Sequence, residues 1–193
     1  MANLHFHYGT MGSSKSAQLI INAYNFRRNN TPVEVIKPQY DTRFSENRIV
    51  SRIGIDTPAL SLKNLSEYTP RPDTKFVLVD EIQFFGEADV DKLVRIADDT
   101  DVIVMCYGLL VDSNEQIFPA SRRLIEVGAK LHYNESNCQI NGCVNKATHH
   151  LRFDANGNVI RAGEQIALGD SNYKSVCRMH FNHLYHGFKL RTK

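Results

Sequence analysis

Short apolar runs separated by polar, helix-periodic stretches are the first regularity along the chain. Leu4 to Tyr8, Val33 to Ile36, Phe76 to Val79 and Val102 to Tyr107 each read as a buried strand bounded by turn residues. Between the first two, Leu19, Ile20, Ala23 and Phe26 recur at helical spacing. Arg27 and Arg28 follow where a helix C-terminus favours cations, and Asn29 to Pro32 form a stop. A further helix is predicted from Glu87 to about Ala97, with Val90, Leu93, Val94 and Ala97 on one side. Strands alternating with helices predict an α/β fold built on a mostly parallel sheet flanked by helices.

Two stretches break the alternation. Pro38 to Pro58 and "YGLLVDSNEQIFPASRR" mix charge with turn residues and read as irregular, ligand-ordered loops. From Asn134 the character changes to short, glycine- and asparagine-rich segments, with "ANGN" between "LRF" and "VIR" as a hairpin signal. This predicts a main α/β domain over residues 1–133 and a small β module with a C-terminal helix over 134–193.

Composition narrows the function. With 193 residues, 42% of them hydrophobic, the chain can bury one sizeable core. A formal net charge of +2 without a lysine or arginine run argues against a nucleic-acid track and leaves a small anionic ligand as the milder inference. No window approaches the ~20 apolar residues of a membrane span, and no signal peptide is visible, so a soluble cytoplasmic protein is expected. In that compartment the four cysteines read as reduced thiols or metal thiolates.

The stretch "YGTMGSSKS" lies between the first strand and the first helix and nearly spells a phosphate-binding loop, with Ser14 where that pattern has its second glycine. Backbone N–H groups of Gly9, Thr10, Met11, Gly12, Ser13 and Ser14 could cradle phosphates, Lys15 could meet the β- and γ-phosphates, and Ser16 could bind Mg²⁺. The alternative is a plain turn that enters a helix. "VLVDEIQFF" sets Asp80 and Glu81 at the end of an apolar strand, where open α/β sheets gather ligands. Asp80 could hold Mg²⁺ and Glu81 could take a proton from an attacking hydroxyl, whereas an isolated acid pair would be a solvated turn.

Cys138, Cys143, Cys177 and His180 form C-x₄-C and C-x₂-H, a donor set suited to tetrahedral Zn²⁺ and to stabilising a module with little core. A disulfide and inert thiols are the competing readings. His149, His150, His183 and His186 complete no better ligand set and are expected at the surface or on helix faces. His5 and His7 are expected as satisfied strand residues.

Taken in order, "YGTMGSSKS", "DTRF", "SRIG", "VLVDEIQFF", "CYGL" and "VCRMH" resemble the thymidine kinase family of the zinc-ribbon type, from about Leu4 to His180. The resemblance implies a P-loop, RecA-like sheet and a structural zinc ribbon held by Cys138, Cys143, Cys177 and His180. It also implies ATP-dependent phosphorylation of thymidine with Mg²⁺, in nucleoside salvage for DNA synthesis. By the same resemblance the donor site comprises residues 9–16 with Asp80, Glu81, Ile82 and Gln83. Glu81 is then the general base, Lys15 and Arg43 meet phosphate charge, and Ser16 and Asp80 hold magnesium. Met11, Phe84, Phe118 and Tyr173, with backbone groups from Ile166 to Gly169, would surround the thymine. A homotetramer is implied too. Leu110 and Ser113 depart from the family's "GLR-x-DF", which bears on the pocket. The rival readings are a zinc-ribbon nucleic-acid ATPase and a nucleotide sensor with weak catalysis.

Overall fold

A computed structural model describes residues 3–41, 46–161 and 172–189. Its centre is a six-stranded sheet of β1 (Leu4–Tyr8), β2 (Val33–Pro38), β5 (Leu60–Leu62), β6 (Phe76–Val79), β7 (Ile103–Gly108) and β8 (Lys130–Tyr133), in the order β5-β2-β6-β7-β1-β8. Every pairing in it is parallel. Parallel strands need crossovers, and those crossovers bring helices onto both faces. Helix α1 (Lys15–Arg28) covers one face, and α2 (Glu87–Asp99) with α3 (Pro119–Glu126) covers the other.

The period-two alternation of the strands sorts side chains between these layers. Leu4, Phe6, Val77, Val79, Val104 and Cys106 pack with Val90, Leu93 and Leu124 on the α2–α3 side, whereas Leu78 and Tyr107 join Leu19, Ile20 and Ala23 beneath α1. Each fully buried Leu, Ile or Val contributes about 1.5–3 kcal/mol before chain entropy is set against it. That core anchors the carboxyl ends of the strands, where the polar loops begin.

The predicted strands and helices form within a residue or two of their expected limits, with α2 running on to Asp99. The described residues of the two stretches expected to be irregular are more ordered. In the first, β3 (Arg48–Val50) and β4 (Asp56–Pro58) make an antiparallel hairpin, closed by Arg48 on Asp56. In the second, Asp112 accepts hydrogen bonds from the backbone N–H groups of Asn114 and Gln116, and Pro119 starts α3. The β5 and β8 strands are further additions to the predicted set.

Beyond β8, β9 (His149–Phe153) pairs antiparallel with β10 (Asn172–Val176), and α4 (Arg178–His186) follows. The expected hairpin turn is present: Asp154 Oδ1 accepts from the N–H groups of Asn156 and Asn158, and Phe153 bridges Val159. This region has its own small cluster of Cys138, Leu151, Val176, Cys177 and Phe181.

Candidate active site

The loop after β1 is shaped by close approach and by left-handed backbone. A Cβ at Gly9 would stand 2.3 Å from the carbonyl oxygen of Asn134, so only glycine lets the chain leave the sheet there. Gly12 takes φ +73° and Ser14 takes φ +61°. The second value explains why the phosphate-loop pattern has glycine at this position: serine can adopt the conformation, at a cost of about 1–2 kcal/mol. Ser14 heads α1 without a side-chain cap, which leaves the positive end of the helix open to an anion. Lys15 is buried, and its Nζ donates to the Thr10 carbonyl at 2.7 Å, to Ser13 Oγ at 3.2 Å and to the Gly9 carbonyl at 3.3 Å.

The acidic pair meets this loop. Ser16 Oγ donates to Asp80 Oδ1 at 3.3 Å, across from the first helix to the end of β6. Asp80 is 4% exposed, and burial, reinforced by the charge of Glu81, pushes its carboxyl up to about 7 despite the Ser16 hydrogen bond. Such a carboxylate is short of positive charge, which a divalent cation would supply. Glu81 occupies φ +47°, an uncommon conformation for a side-chain-bearing residue. Its Oε2 accepts from Gln83 Nε2 at 2.6 Å, while Gln83 Oε1 accepts from the Leu109 N–H at 3.0 Å. Gln83 is nearly fully buried above Gly108, where an added Cβ would lie 2.5 Å from its Oε1. It therefore acts as a rigid strut from the end of β7 to the Glu81 carboxylate.

The remaining expected residues divide. Ile82 is fully buried in the core, so its side chain is withdrawn from the cleft. Phe84 lies half-buried in the 3-10 turn Ile82–Phe84, and Phe118, 3% exposed, heads α3, which packs on that turn. Met11 is half-buried in the loop, and Tyr173 sits on β10 with its ring edge-on to His150, centroids 6.2 Å apart. Arg43, Ile166 and Gly169 lie outside the described residues. Leu110 packs against the main core.

Two histidine expectations are corrected. His150 is 3% exposed rather than at the surface, and its Nδ1 has no partner; burial first, then the charge of Lys15, pushes its pKa down to about 4. His7 stacks between Tyr107 and His132, yet its Nε2 is buried without a hydrogen bond, so it is not a satisfied strand residue. Stacking fixes the ring while leaving that nitrogen unpaired.

Cys138, Cys143, Cys177 and His180 converge, with all their ligand atoms within 4.8 Å of one another. Cys143 Sγ and Cys177 Sγ are 4.0 Å apart, and His180 Nδ1 lies 3.3 Å from Cys177 Sγ and 3.4 Å from Cys138 Sγ. Tetrahedral Zn²⁺ at ordinary bond lengths needs ligand edges of roughly 3.6–3.8 Å, so the set fits the ion with small adjustments. A disulfide needs sulfurs ~2.05 Å apart, and all four cysteines are free thiols. Cys177 heads α4, which places His180 one turn away, and the N–H of Cys138 is fixed by the Asn145 carbonyl at 2.9 Å.

Sequence reasoning passes over the polar residues that join the two regions. Thr10 Oγ1 meets Ser136 Oγ at 2.6 Å, Ser175 Oγ donates to the Met11 carbonyl, and Tyr133 OH donates to the Ala147 carbonyl. Serine and threonine contacts of this kind carry no spacing signature. The one available cue is position: Ser136 and Ser175 each stand two residues before a cysteine of the cluster.

An open phosphate loop, a buried aspartate beside it and a braced glutamate at the carboxyl edge of a parallel sheet define a nucleotide-dependent phosphotransferase site. The family model described as thymidine kinase matches residues 2–181, and the chain belongs to the thymidine kinase family. The thymidine kinase of Enterobacteria phage T4 is 37% identical over 191 residues, covering 95% of this chain and 97% of that one. Those of Rhodopirellula baltica and Shewanella oneidensis are 37% and 36% identical over 190 and 189 residues, covering 94% of this chain and 88% and 97% of theirs. Nothing favours the nucleic-acid ATPase or the sensor. Among the described residues, no helix is long and apolar enough to cross a membrane.

Proposed function

We propose that this chain transfers the γ-phosphoryl group of ATP to the 5′-hydroxyl of thymidine, giving thymidine monophosphate and ADP. The observation that carries this reading is the Ser16–Asp80 hydrogen bond, which ties the phosphate loop to the acidic strand end, where Glu81 follows Asp80. Residues 9–16 would cradle the donor phosphates with their backbone N–H groups. Lys15 would exchange the loop oxygens it now holds for the β- and γ-phosphate oxygens, offsetting charge as it develops. Glu81, aimed by Gln83, would accept the 5′-hydroxyl proton as the oxygen attacks phosphorus. Arg43 would add a further cation to the transferring group.

Mg²⁺ arriving with ATP would be held by Ser16 and Asp80 and would neutralise phosphate charge, which suits a hydroxyl and a buried carboxylate in contact. Zn²⁺ held by Cys138, Cys143, Cys177 and His180 would be structural, because four protein ligands leave no open position. Met11, Phe84, Phe118 and Tyr173, with backbone from Ile166 to Gly169, would enclose the thymine. Residues 1–133 and 134–193 would be the catalytic domain and the ribbon. A cytoplasmic homotetramer serving nucleoside salvage is supported by the family resemblance.

The test is phosphate transfer from labelled ATP to thymidine, deoxyuridine and purine nucleosides by metal-replete protein. Thymidine monophosphate should form in step with ADP, and transfer to none of them would refute the proposal.

A further inference from the structure

The phosphate loop is rich in residues that do not hold their own shape. Gly9 and Gly12 lack side chains, and Gly12 and Ser14 both adopt positive φ. Such a segment loses conformational entropy when it closes on a ligand unless something outside it has fixed it beforehand. In this chain the outside support comes from the ribbon. Thr10 Oγ1 is bonded to Ser136 Oγ at 2.6 Å, and the next residue along, Met11, has its carbonyl oxygen held by Ser175 Oγ.

Ser175 is a firm anchor. It is 2% exposed, so its hydroxyl is withdrawn from bulk solvent. Its N–H donates to Gln139 Oε1 at 2.8 Å, and its carbonyl accepts from the Gln139 N–H at 2.8 Å, which locks the strand beneath the hydroxyl. Across the β9–β10 ladder it pairs with His150, the buried ring near Lys15. Both serines stand two residues before a cluster cysteine, Cys138 or Cys177, so the metal-binding set stiffens the segments that carry them.

The geometric consequence follows from peptide planarity. The Met11 carbonyl and the Gly12 N–H belong to one trans peptide and point in opposite directions. Holding the Met11 oxygen toward the ribbon turns the Gly12 N–H away from it, and glycine would otherwise leave that plane free to rotate. One hydroxyl thus sets the direction of a phosphate-loop donor.

We propose that Ser136 and Ser175 are positioning residues that preorganise the phosphate loop from the ribbon, so that nucleotide affinity depends on hydroxyls that never touch the nucleotide. The proposal rests on the kinase reading only for the identity of the nucleotide.

The experiment uses the full chain with Ser136→Ala, Ser136→Thr and Ser175→Ala. It reads the Kd for MgATP by calorimetry, KM for ATP and for thymidine, metal content and melting temperature. Each alanine variant should raise the Kd and KM for ATP by ~3- to 10-fold, the loss of about one net hydrogen bond. For Ser136→Ala the thymidine KM should stay within about twofold, with metal content unchanged, and Ser136→Thr should restore ATP affinity. Unchanged ATP affinity in both alanine variants would overturn the proposal. A parallel loss of thymidine affinity, metal and melting temperature in both would overturn it too, because the serines would then be merely structural. If the wild-type chain binds MgATP and phosphorylates no thymidine, the kinase reading falls while the Kd series still decides this one.

Discussion

At the carboxyl edge of the parallel sheet, Lys15, Asp80 and Glu81 rest on apolar clusters that fill both faces of the sheet. At the ribbon, Leu151, Val176 and Phe181 are the buried companions of Cys138 and Cys177 in their cluster, with Ile140, Phe153, Val159, Leu184 and Tyr185 only partly buried against it. The edge tolerates unfavourable local states: Ser14 and Glu81 at positive φ, and an aspartate buried beside a second acid. The ribbon, in contrast, draws three thiols and one imidazole into a single cluster. A large core can hold strained chemistry in place, whereas a small one has to be held by its ligands.

The contrast predicts that damage at the ribbon is read as lost stability and damage at the edge as lost rate. Cys177→Ser should empty the cluster of metal and destabilise the ribbon by more than about 4 kcal/mol, seen as an early unfolding transition together with a fall in zinc content. Intact metal and melting would break the comparison from the ribbon side. Lys15→Ala should lower kcat/KM for ATP by ~10²- to 10³-fold, as expected for removing a charged donor from a transferring phosphate, with a melting temperature close to wild type.

Asp80 sharpens the comparison through pH. Its folded pKa lies above its unfolded value, so between about pH 4 and pH 7 the native state binds the extra proton. This contribution to stability is therefore lost as pH rises through that window. Asp80→Asn removes the titration, so its stability relative to wild type should grow from pH 4 to pH 7 by about 1–3 kcal/mol, measured by denaturant melts without nucleotide. The same variant should lose most of the thermal shift produced by MgATP. A difference that does not vary with pH would place Asp80 in a more solvated setting than its burial indicates. The smallest effect is expected for Ser14→Gly. Relief of a left-handed serine should leave stability within about 1 kcal/mol of wild type and preserve or slightly improve ATP affinity by calorimetry.

Much of this was legible in the sequence, for physical reasons. Strands buried on both faces show as continuous apolar runs, which is why Phe76–Val79 was readable to the residue. The β8 strand was not, because Lys130–Tyr133 is short, lies at a sheet edge and is largely exposed. Helix α3 was hidden because eight residues give too little periodicity. At the site, Lys15, Asp80, Glu81 and the cluster ligands were visible through the chemistry of their side chains and their spacing. Gln83 as a strut and Ser136 and Ser175 as loop contacts depend on the meeting of distant segments, which no local pattern encodes.

The most direct test of the central claim, that Glu81 is the proposed base, is Glu81→Gln, an exchange that keeps size and removes the carboxylate. Single-turnover transfer from ATP to thymidine should fall by ~10²-fold or more, while Kd values for MgATP and thymidine and the melting temperature stay near wild type. Transfer at close to the wild-type rate would contradict the account, because the acidic strand end would then have no part in moving the proton.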